Sequence, residues 1–363
     1  MQIRRVREEE PEVERYVAEC WESYHDDLSE AVAAHALVDD ADREAVVEHH
    51  QDVLDSPSTR LWVALDGVTD STASLSTTGA TFAGFVRTSL ETAPSKFDWP
   101  DSLVLHDLWV RDSYRGSGVA EELVARAVRQ AREGGCEKLT VDVAVDNERA
   151  MAFARDLGFE TQGFRMRVST EDVARDRDDG SLTDDSSSPC LRRVRVDEAA
   201  VHRFVEECWL PFWRDLGEAV DEQHLGPDLD RDQVVANLLD GYDVPDRRCW
   251  VVLDEPTDPR ASLDEMDAVF AGWLNAGLEH TDRFLDAPER LFVGNVYLRP
   301  AYRGSGLADR LVARALQYAR EEGCVELTLD VEAANERARA YYEKLGFEPR
   351  RQRLSVALDS IEL

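Results

Sequence analysis

Two short stretches carry the densest chemistry in the chain: Tyr114-Arg115-Gly116-Ser117-Gly118 and Tyr302-Arg303-Gly304-Ser305-Gly306. Each follows an apolar run and leads directly into a segment of helical periodicity. Glycines there permit positive φ and the close approach of a ligand, while the first free N–H groups of the helix point outward and favour an anion. A phosphate group is the natural occupant. A dinucleotide fingerprint would need a third glycine three residues on, where Glu121 and Asp309 stand, and a P-loop would need Gly-Lys-Ser/Thr, which is absent.

The elements that position these loops form a repeat. Ile3-Arg4-Arg5-Val6-Arg7 recurs as Leu191-Arg192-Arg193-Val194-Arg195, Cys20-Trp21 as Cys208-Trp209, and Phe82-Ala83-Gly84-Phe85 as Phe270-Ala271-Gly272-Trp273, always at an offset of 188. The same offset links Leu157-Gly158-Phe159 to Leu345-Gly346-Phe347. The chain therefore divides into a first copy (1–170), a linker rich in Asp, Ser and Gly (171–190) and a second copy (191–363). The linker is almost free of the large apolar residues that ordering would require. Because both copies retain every hydrophobic segment, each is expected to have its own core and to pack on the other about a pseudo-twofold axis, as an intramolecular pseudo-dimer.

Within the second copy a short strand at 191–194 precedes an amphipathic helix carrying Val201, Phe204, Val205, Cys208 and Trp209, then a helix near 234–239. Apolar runs at 250–253, 269–274 and 291–298 read as meander strands, and Leu307, Leu311, Ala315, Leu316 and Ala319 recur at helical spacing until Gly323. A strand at 326–331, a helix at 335–344 and a last strand near 353–358 complete the unit. Early strand pairs and a late βαβα unit predict an α/β fold with one mixed sheet and helices on both faces.

With those elements in place, Arg303-Gly304-Ser305-Gly306-Leu307-Ala308 and Arg115-Gly116-Ser117-Gly118-Val119-Ala120 resemble the R/Q-x-x-G-x-G/A acyl-CoA pyrophosphate loop of the GNAT N-acetyltransferase superfamily. Downstream, Leu329-Asp330-Val331 and then Asn335, Ala338, Tyr341-Tyr342 and Gly346-Phe347 resemble that superfamily's next two segments in order. The resemblance implies two tandem acyl-CoA N-acyltransferase domains that use acetyl-CoA as acyl donor and a small-molecule or peptide amine as acceptor. It implies that the strand ends at Val296 and Leu298, and at Val110 in the first copy, pair with the pantetheine arm through their backbone. Asn335 and Asn147 would hydrogen-bond that arm, although Asn is also an ordinary helix N-cap.

Acyl transfer to an amine needs a neutral amine, a stabilised oxyanion and protonation of the departing thiolate. Tyr342 stands where the family places the tyrosine that protonates the thiolate, and Asp330 at the position of a carboxylate base, with Glu279 and His280 as alternatives. Alanine occupies the equivalent of Tyr342 in the first copy, Ala154, so the second copy is expected to be catalytic and the first degenerate. The first copy does carry His106 and Asp107, where many family members keep an acidic base, against Gly294 and Asn295 in the second. The rival expectation is a non-catalytic acyl-CoA-binding or interaction module.

Composition closes off other classes. Asp and Glu number 75 against 42 Lys and Arg, a net charge of −33 that repels a polyphosphate chain, so nucleic acid is not an expected partner. The only lysines are Lys96, Lys138 and Lys344, a skew that suits a salt-rich cytosol. The six cysteines form no CxxC pair and read as small buried hydrophobes. His25, His35, His49 and His50 lie among acidic residues in expected helices, read as a solvated face, and no metal is expected. Trp209, Phe212 and Trp213 read as core rather than pocket. No run approaches the apolar length of a membrane helix and the N-terminus has no apolar leader core, so a cytoplasmic location is expected.

Overall fold

The computed structural model describes residues 1–32, 35–38, 41–68, 70, 72–94, 97, 99–173, 189–195, 197–220, 224–255, 257–258, 261–281 and 283–361. Most of the expected linker, 174–188, lies outside the described residues. The first copy runs β1 (Gln2–Val6), α1 (Glu10–Tyr16), α2 (Glu22–Ala31), α3 (Arg43–Asp55), β2 (Thr59–Asp66), β3 (Thr81–Glu91), β4 (Ser102–Val110), α4 (Val119–Glu133), β5 (Lys138–Ala144), α5 (Glu148–Asp156) and β6 (Glu160–Ser169). The second copy repeats the order as β7 (Cys190–Arg193), α6 (Glu198–Phe204), α7 (Leu210–Ala219), α8 (Arg231–Asp243), β8 (Arg247–Leu253), β9 (Phe270–Glu279), β10 (Arg290–Leu298), α9 (Leu307–Glu321), β11 (Glu326–Glu332), α10 (Glu336–Lys344) and β12 (Glu348–Ala357). A single π turn joins α1 to α2 over Val17–Trp21, and another joins α6 to α7 over Val205–Trp209. Among the described residues no helix is long and apolar enough to cross a membrane.

Local chemistry sets the boundaries. Helix α4 buries Val119, Leu123, Val124, Ala127, Val128 and Ala131 on one stripe, opens with Glu121 and Glu122 and closes with Arg132, each charge complementing the helix dipole. Asp42, Asn147, Asp197, Asp230 and Asn335 each cap a helix by accepting a backbone N–H. One sheet face carries α4 and α9, and the other carries the helices that precede β2 and β8.

The expectation of a self-contained core in each copy does not hold. All twelve strands form one sheet in the order β1-β2-β3-β4-β5-β12-β6-β11-β10-β9-β8-β7, so the last strand of each copy is exchanged. β12 pairs with β5 of the first copy, β6 pairs with β11 of the second, and β6 and β12 run antiparallel with Phe164 opposite Gln352. The numbers 164 and 352 differ by 188, so the pseudo-twofold axis passes through that pair. Leu354, Val356, Leu358 and Ile361 are buried beneath α4, while Met166, Val168 and Val173 are buried beneath α9. The four side chains from the second copy, at about 2 kcal/mol each, rival a domain's entire net stability of about 5–15 kcal/mol. Local sequence does not reveal this, because the two strands have the same pattern and either would satisfy either edge.

Two reciprocal clasps complete the contact. Leu37 bridges to Leu285, and Phe97 bridges to Leu225, positions related by the same offset. Splitting the chain within 174–188 and co-expressing the pieces should therefore give a tight complex with the far-UV spectrum and melting midpoint of the intact protein. Either piece alone should aggregate or lack a cooperative transition, and a cooperatively folding single piece would contradict the exchanged core.

Candidate active site

Strands β4 and β5 are parallel neighbours only from Ser102 to Leu105, paired with Lys138 to Val141. Thr88 then faces Leu105 while Arg87 faces Asp107, which makes His106 the extra residue of a β-bulge. A bulge bends its strand and increases its twist. Beyond it β4 and β5 separate, leaving a cleft between residues 106–110 and 142–144. The second copy repeats the device, with pairing from Arg290 to Val293 and a bulge at Gly294.

The glycine loop closes the end of this cleft. Gly116 and Gly118 have φ of 73° and 88°, and Gly304 and Gly306 have φ of 78° and 81°, so all four occupy the left-handed region in which other residues are strained. Helices α4 and α9 start directly after Gly118 and Gly306 with no side-chain cap. Ser117 and Ser305 each donate their hydroxyl to the loop carbonyls of Tyr114 and Tyr302. Arg115 donates to the Val110 carbonyl at 3.0 Å and to Asp27 on α2 at 2.5 Å; Arg303 makes the same pair of contacts with Leu298 and Asp215 at 3.1 and 2.7 Å. These arginines brace the loop, so an anion there would meet chiefly backbone N–H groups.

Behind the first loop lies a cavity of about 620 Å³, bounded by Gly116 and Ala120 of the loop, by Asp142 and Ala144 of β5, and by side chains of α2 and α3. Among the described residues no comparable space opens in the second copy, and the reason is steric. There Phe97 stacks on Trp99 at 4.1 Å, and Trp213 packs against Phe97 at 4.4 Å. The equivalents in the first copy are Leu285, Ala287 and His25. What remains beside the second loop is a polar cleft of about 450 Å³ lined by residues such as Asp215, Arg303 and Asn335.

The polar side chains follow the cavity. Asp107 accepts from Arg87 Nε at 2.6 Å and from the Tyr24 hydroxyl at 3.1 Å. Burial alone would raise the Asp107 pKa, but the Arg87 guanidinium outweighs it and holds the carboxyl below the usual range. His50 is buried, its Nε2 has no hydrogen-bond partner, and burial followed by the charge of Arg87 lowers its pKa to about 3. Burial and Arg351 lower His35 to about 4. At neutral pH the walls thus hold an ionised carboxylate and neutral imidazoles. At the equivalents of Tyr24, His25, His50, Arg87, His106 and Asp107 the second copy has Phe212, Trp213, Leu238, Asn275, Gly294 and Asn295, none of them ionisable.

The profile of the Acetyltransferase (GNAT) family matches residues 17–159 and 212–347. The chain belongs to this family. Membership carries acyl transfer from acyl-CoA as the general chemistry. Among curated relatives of this GNAT chain, N-alpha-acetyltransferase MAK3 of Arabidopsis thaliana is 48% identical over 52 residues, 14% of this chain and 27% of that protein. The uncharacterized N-acetyltransferase YycN of Bacillus subtilis is 32% identical over 117 residues, 32% of this chain and 65% of that one. The chain thus spans less than two thirds of either relative. A solved tandem GNAT protein from the clavulanic acid biosynthesis pathway superposes with a TM-score of 0.55 at 17% identity, covering 98% of both chains, and establishes a common fold.

Of the positions singled out in the second copy, Arg303 and Asn335 line the 450 Å³ cleft, whereas Tyr342, Asp330, Glu279 and His280 line neither that cleft nor the 620 Å³ cavity. Tyr342 is 8% exposed, packs at 5.6 Å from Phe347 within the core beneath α9, and burial pushes its phenol pKa well above the usual value. Asp330 is held by Arg165 from the exchanged strand, at 2.6 and 3.0 Å, and the same guanidinium takes Glu279 at 2.8 Å. Asp142 is clamped by Arg353 in mirror fashion at 3.0 and 3.2 Å. His280 is exposed between Asp246 and Glu289. Asn335 and Asn147 cap α10 and α5 through their side-chain oxygens, which leaves the amide NH2 groups as donors. Trp209 and Phe212 are core, as expected.

The histidines correct the sequence reading. His25 and His50 are 7% and 6% exposed rather than solvated, because α2 and α3 turn them onto Trp21 at ring distances of 4.5 and 5.6 Å. Among the described residues no set of three ligating side chains is placed to hold a metal. The signal that could have found this site is the column-by-column difference between the copies: ionisable in one, apolar or neutral in the other.

The lowered imidazole pKa values have a stability consequence. An unfolded histidine binds a proton near pH 6.5, whereas native His35 and His50 do so near 4 and 3. The stabilising preference is therefore full above pH 6.5 and is lost as pH falls below it, by about 1 kcal/mol per pH unit for each group. His50→Leu, which copies the second repeat, should lose less stability than the wild type between pH 6.5 and 4.5 in urea melts. Parallel losses would show that His50 is not held neutral.

Proposed function

We propose that the protein is an N-acetyltransferase that moves the acetyl group of acetyl-CoA to a primary amine by direct attack, and that the reaction takes place in the first copy. The observation that supports this is a single cavity in which the anion-binding loop and the Tyr24–Asp107–Arg87 cluster share walls. The pyrophosphate would lie on the N–H groups of 116–120, and the pantetheine arm in the cleft along β4. The low dielectric of the cavity favours the neutral, nucleophilic form of an amine. Asp107 orients that amine. Its carboxylate accepts the amine proton as the C–N bond forms, and the resulting carboxylic acid returns that proton to the thiolate as the C–S bond breaks.

The second copy retains the phosphate loop without an open acceptor side, which favours acyl-CoA binding there without transfer. Tyr342 and Asp330 then serve packing and the exchanged-strand ion pair.

Thiol release from acetyl-CoA with a panel of primary amines tests the assignment. Asp107→Asn should lower kcat by about 100-fold or more, and Gly118→Trp should abolish acetyl-CoA-dependent turnover. Gly306→Trp and Tyr342→Phe should leave kcat within about twofold. The reverse pattern would move the chemistry to the second copy, and binding of acetyl-CoA without transfer to any amine would favour the non-catalytic module.

The pH profile supplies a separate check. Arg87 holds the Asp107 carboxyl below the usual carboxylate range, so the base form persists and kcat at saturating amine should stay level from pH 8 to 5. An inflection near 6.5 would point to an ordinary solvated histidine instead.

A further inference from the structure

One cation in the first cavity belongs to the second copy. Arg351 sits on β12 opposite Ala144 of β5, at the open end of the cleft. The register between β12 and β6 shifts between Pro349 and Arg351, leaving Arg350 as an extra residue, and such a bulge re-aims its neighbours. Arg350 turns to Glu326 at 3.3 Å, while Arg351 enters the cavity wall and donates to His35 Nε2 at 3.0 Å.

Its partners set it apart from Arg87 and Arg115, which are ion-paired to Asp107 and Asp27; the fourth arginine of the cavity wall, Arg149, lies two residues after Asn147 in the first turn of α5. Among the described residues no carboxylate lies within ion-pair distance of Arg351, in a chain where 75 acidic residues face 42 basic ones. A neutral imidazole takes one of its five N–H donors and neutralises none of its charge. A guanidinium set in a cavity wall with its fork largely unspent is the side chain best matched to a planar oxyanion.

The pseudo-twofold supplies a control. The equivalent of Arg351 is Gly163, where a Cβ would come within 2.9 Å of the Val331 carbonyl oxygen. The second copy has no room for such a residue, so the arginine is particular to the cavity that also carries the ionisable cluster.

We propose that Arg351 binds an oxyanion, carboxylate or phosphate, carried by the acceptor amine, so that the acceptor is an amino acid-like or phosphorylated amine held between Arg351 and Asp107. This rests on the reading of the first cavity as the transfer site. The acceptor would span the exchanged strand, making the second copy part of the first copy's substrate specificity.

The test uses the full-length protein at fixed ionic strength. The probes are the twenty free amino acids and their carboxamides, and O-phosphoethanolamine beside ethanolamine. Binding is read by the fluorescence of the cavity tryptophans Trp21 and Trp109, and transfer by thiol release. At least one anionic probe should bind tenfold or more tighter than its neutral counterpart, and whichever pair shows this identifies carboxylate or phosphate as the source. Arg351→Gln should remove that preference by raising Kd and KM about tenfold with kcat little changed, and Arg351→Lys should restore part of it; unchanged melting midpoints would show that both variants fold. Equal binding of anionic and neutral probes, or a preference that survives Arg351→Gln, would overturn the proposal even if amines are acetylated. An Arg351-dependent preference without thiol release would uphold the anion site while removing the transferase reading.

Discussion

The antiparallel pairing of β6 with β12 is the constraint on which the rest of the molecule depends. Because these strands cross between the copies, neither edge at β5 nor at β11 is satisfied by its own half. The two helices that follow the glycine loops therefore pack over hydrophobic side chains delivered from the other repeat. The same crossing sends Arg165 to Asp330 and Arg353 to Asp142, ion pairs that fix the register where the cleft strands begin to diverge. A one-residue slip would turn Leu354 and Val356 out of the core and these arginines into it. Register here is overdetermined, and the cleft geometry inherits that rigidity.

Duplication under this constraint allows the halves to diverge where they do not meet. The strands near the axis keep their pattern, whereas the helices preceding β2 and β8 have exchanged bulk for charge. Three large rings, Phe97, Trp99 and Trp213, fill in the second copy what Leu285, Ala287 and His25 leave open in the first. Two of these positions lie on the reciprocal clasps, so each repeat's loop decides the volume of the other's cavity. Asymmetry of function then needs few substitutions and no change of backbone.

Much of this was legible in the sequence. The order and type of elements followed from hydrophobic period and from the 188-residue offset, since those signals are local. The phosphate loops were visible because glycines at positive φ ahead of a helix leave a fixed trace. The exchange was not legible, for two strands of like pattern offer no local preference between partners. Nor was the cavity, because the differences Tyr24/Phe212, His50/Leu238 and Arg87/Asn275 are scattered along the chain and leave no local pattern. The six columns that differ in this way are spread from residue 24 to residue 107 and converge only through the packing of α2 and α3 on β3 and β4.

A preserved loop and a preserved cavity carry different information. Gly116, Gly118, Gly304 and Gly306 hold backbone angles that the turn into α4 or α9 requires whether or not a ligand comes, so both loops persist on folding grounds alone. A cavity, by contrast, costs stability: its lining loses contacts that a ring such as Trp213 regains, and ionisable groups within it lose hydration. The first copy bears both costs, with a neutralised His50 and a buried carboxylate–guanidinium pair, while the second copy shows how readily the same backbone is filled. An expense retained on one side of a near-symmetric molecule is a better marker of chemistry than a motif retained on both.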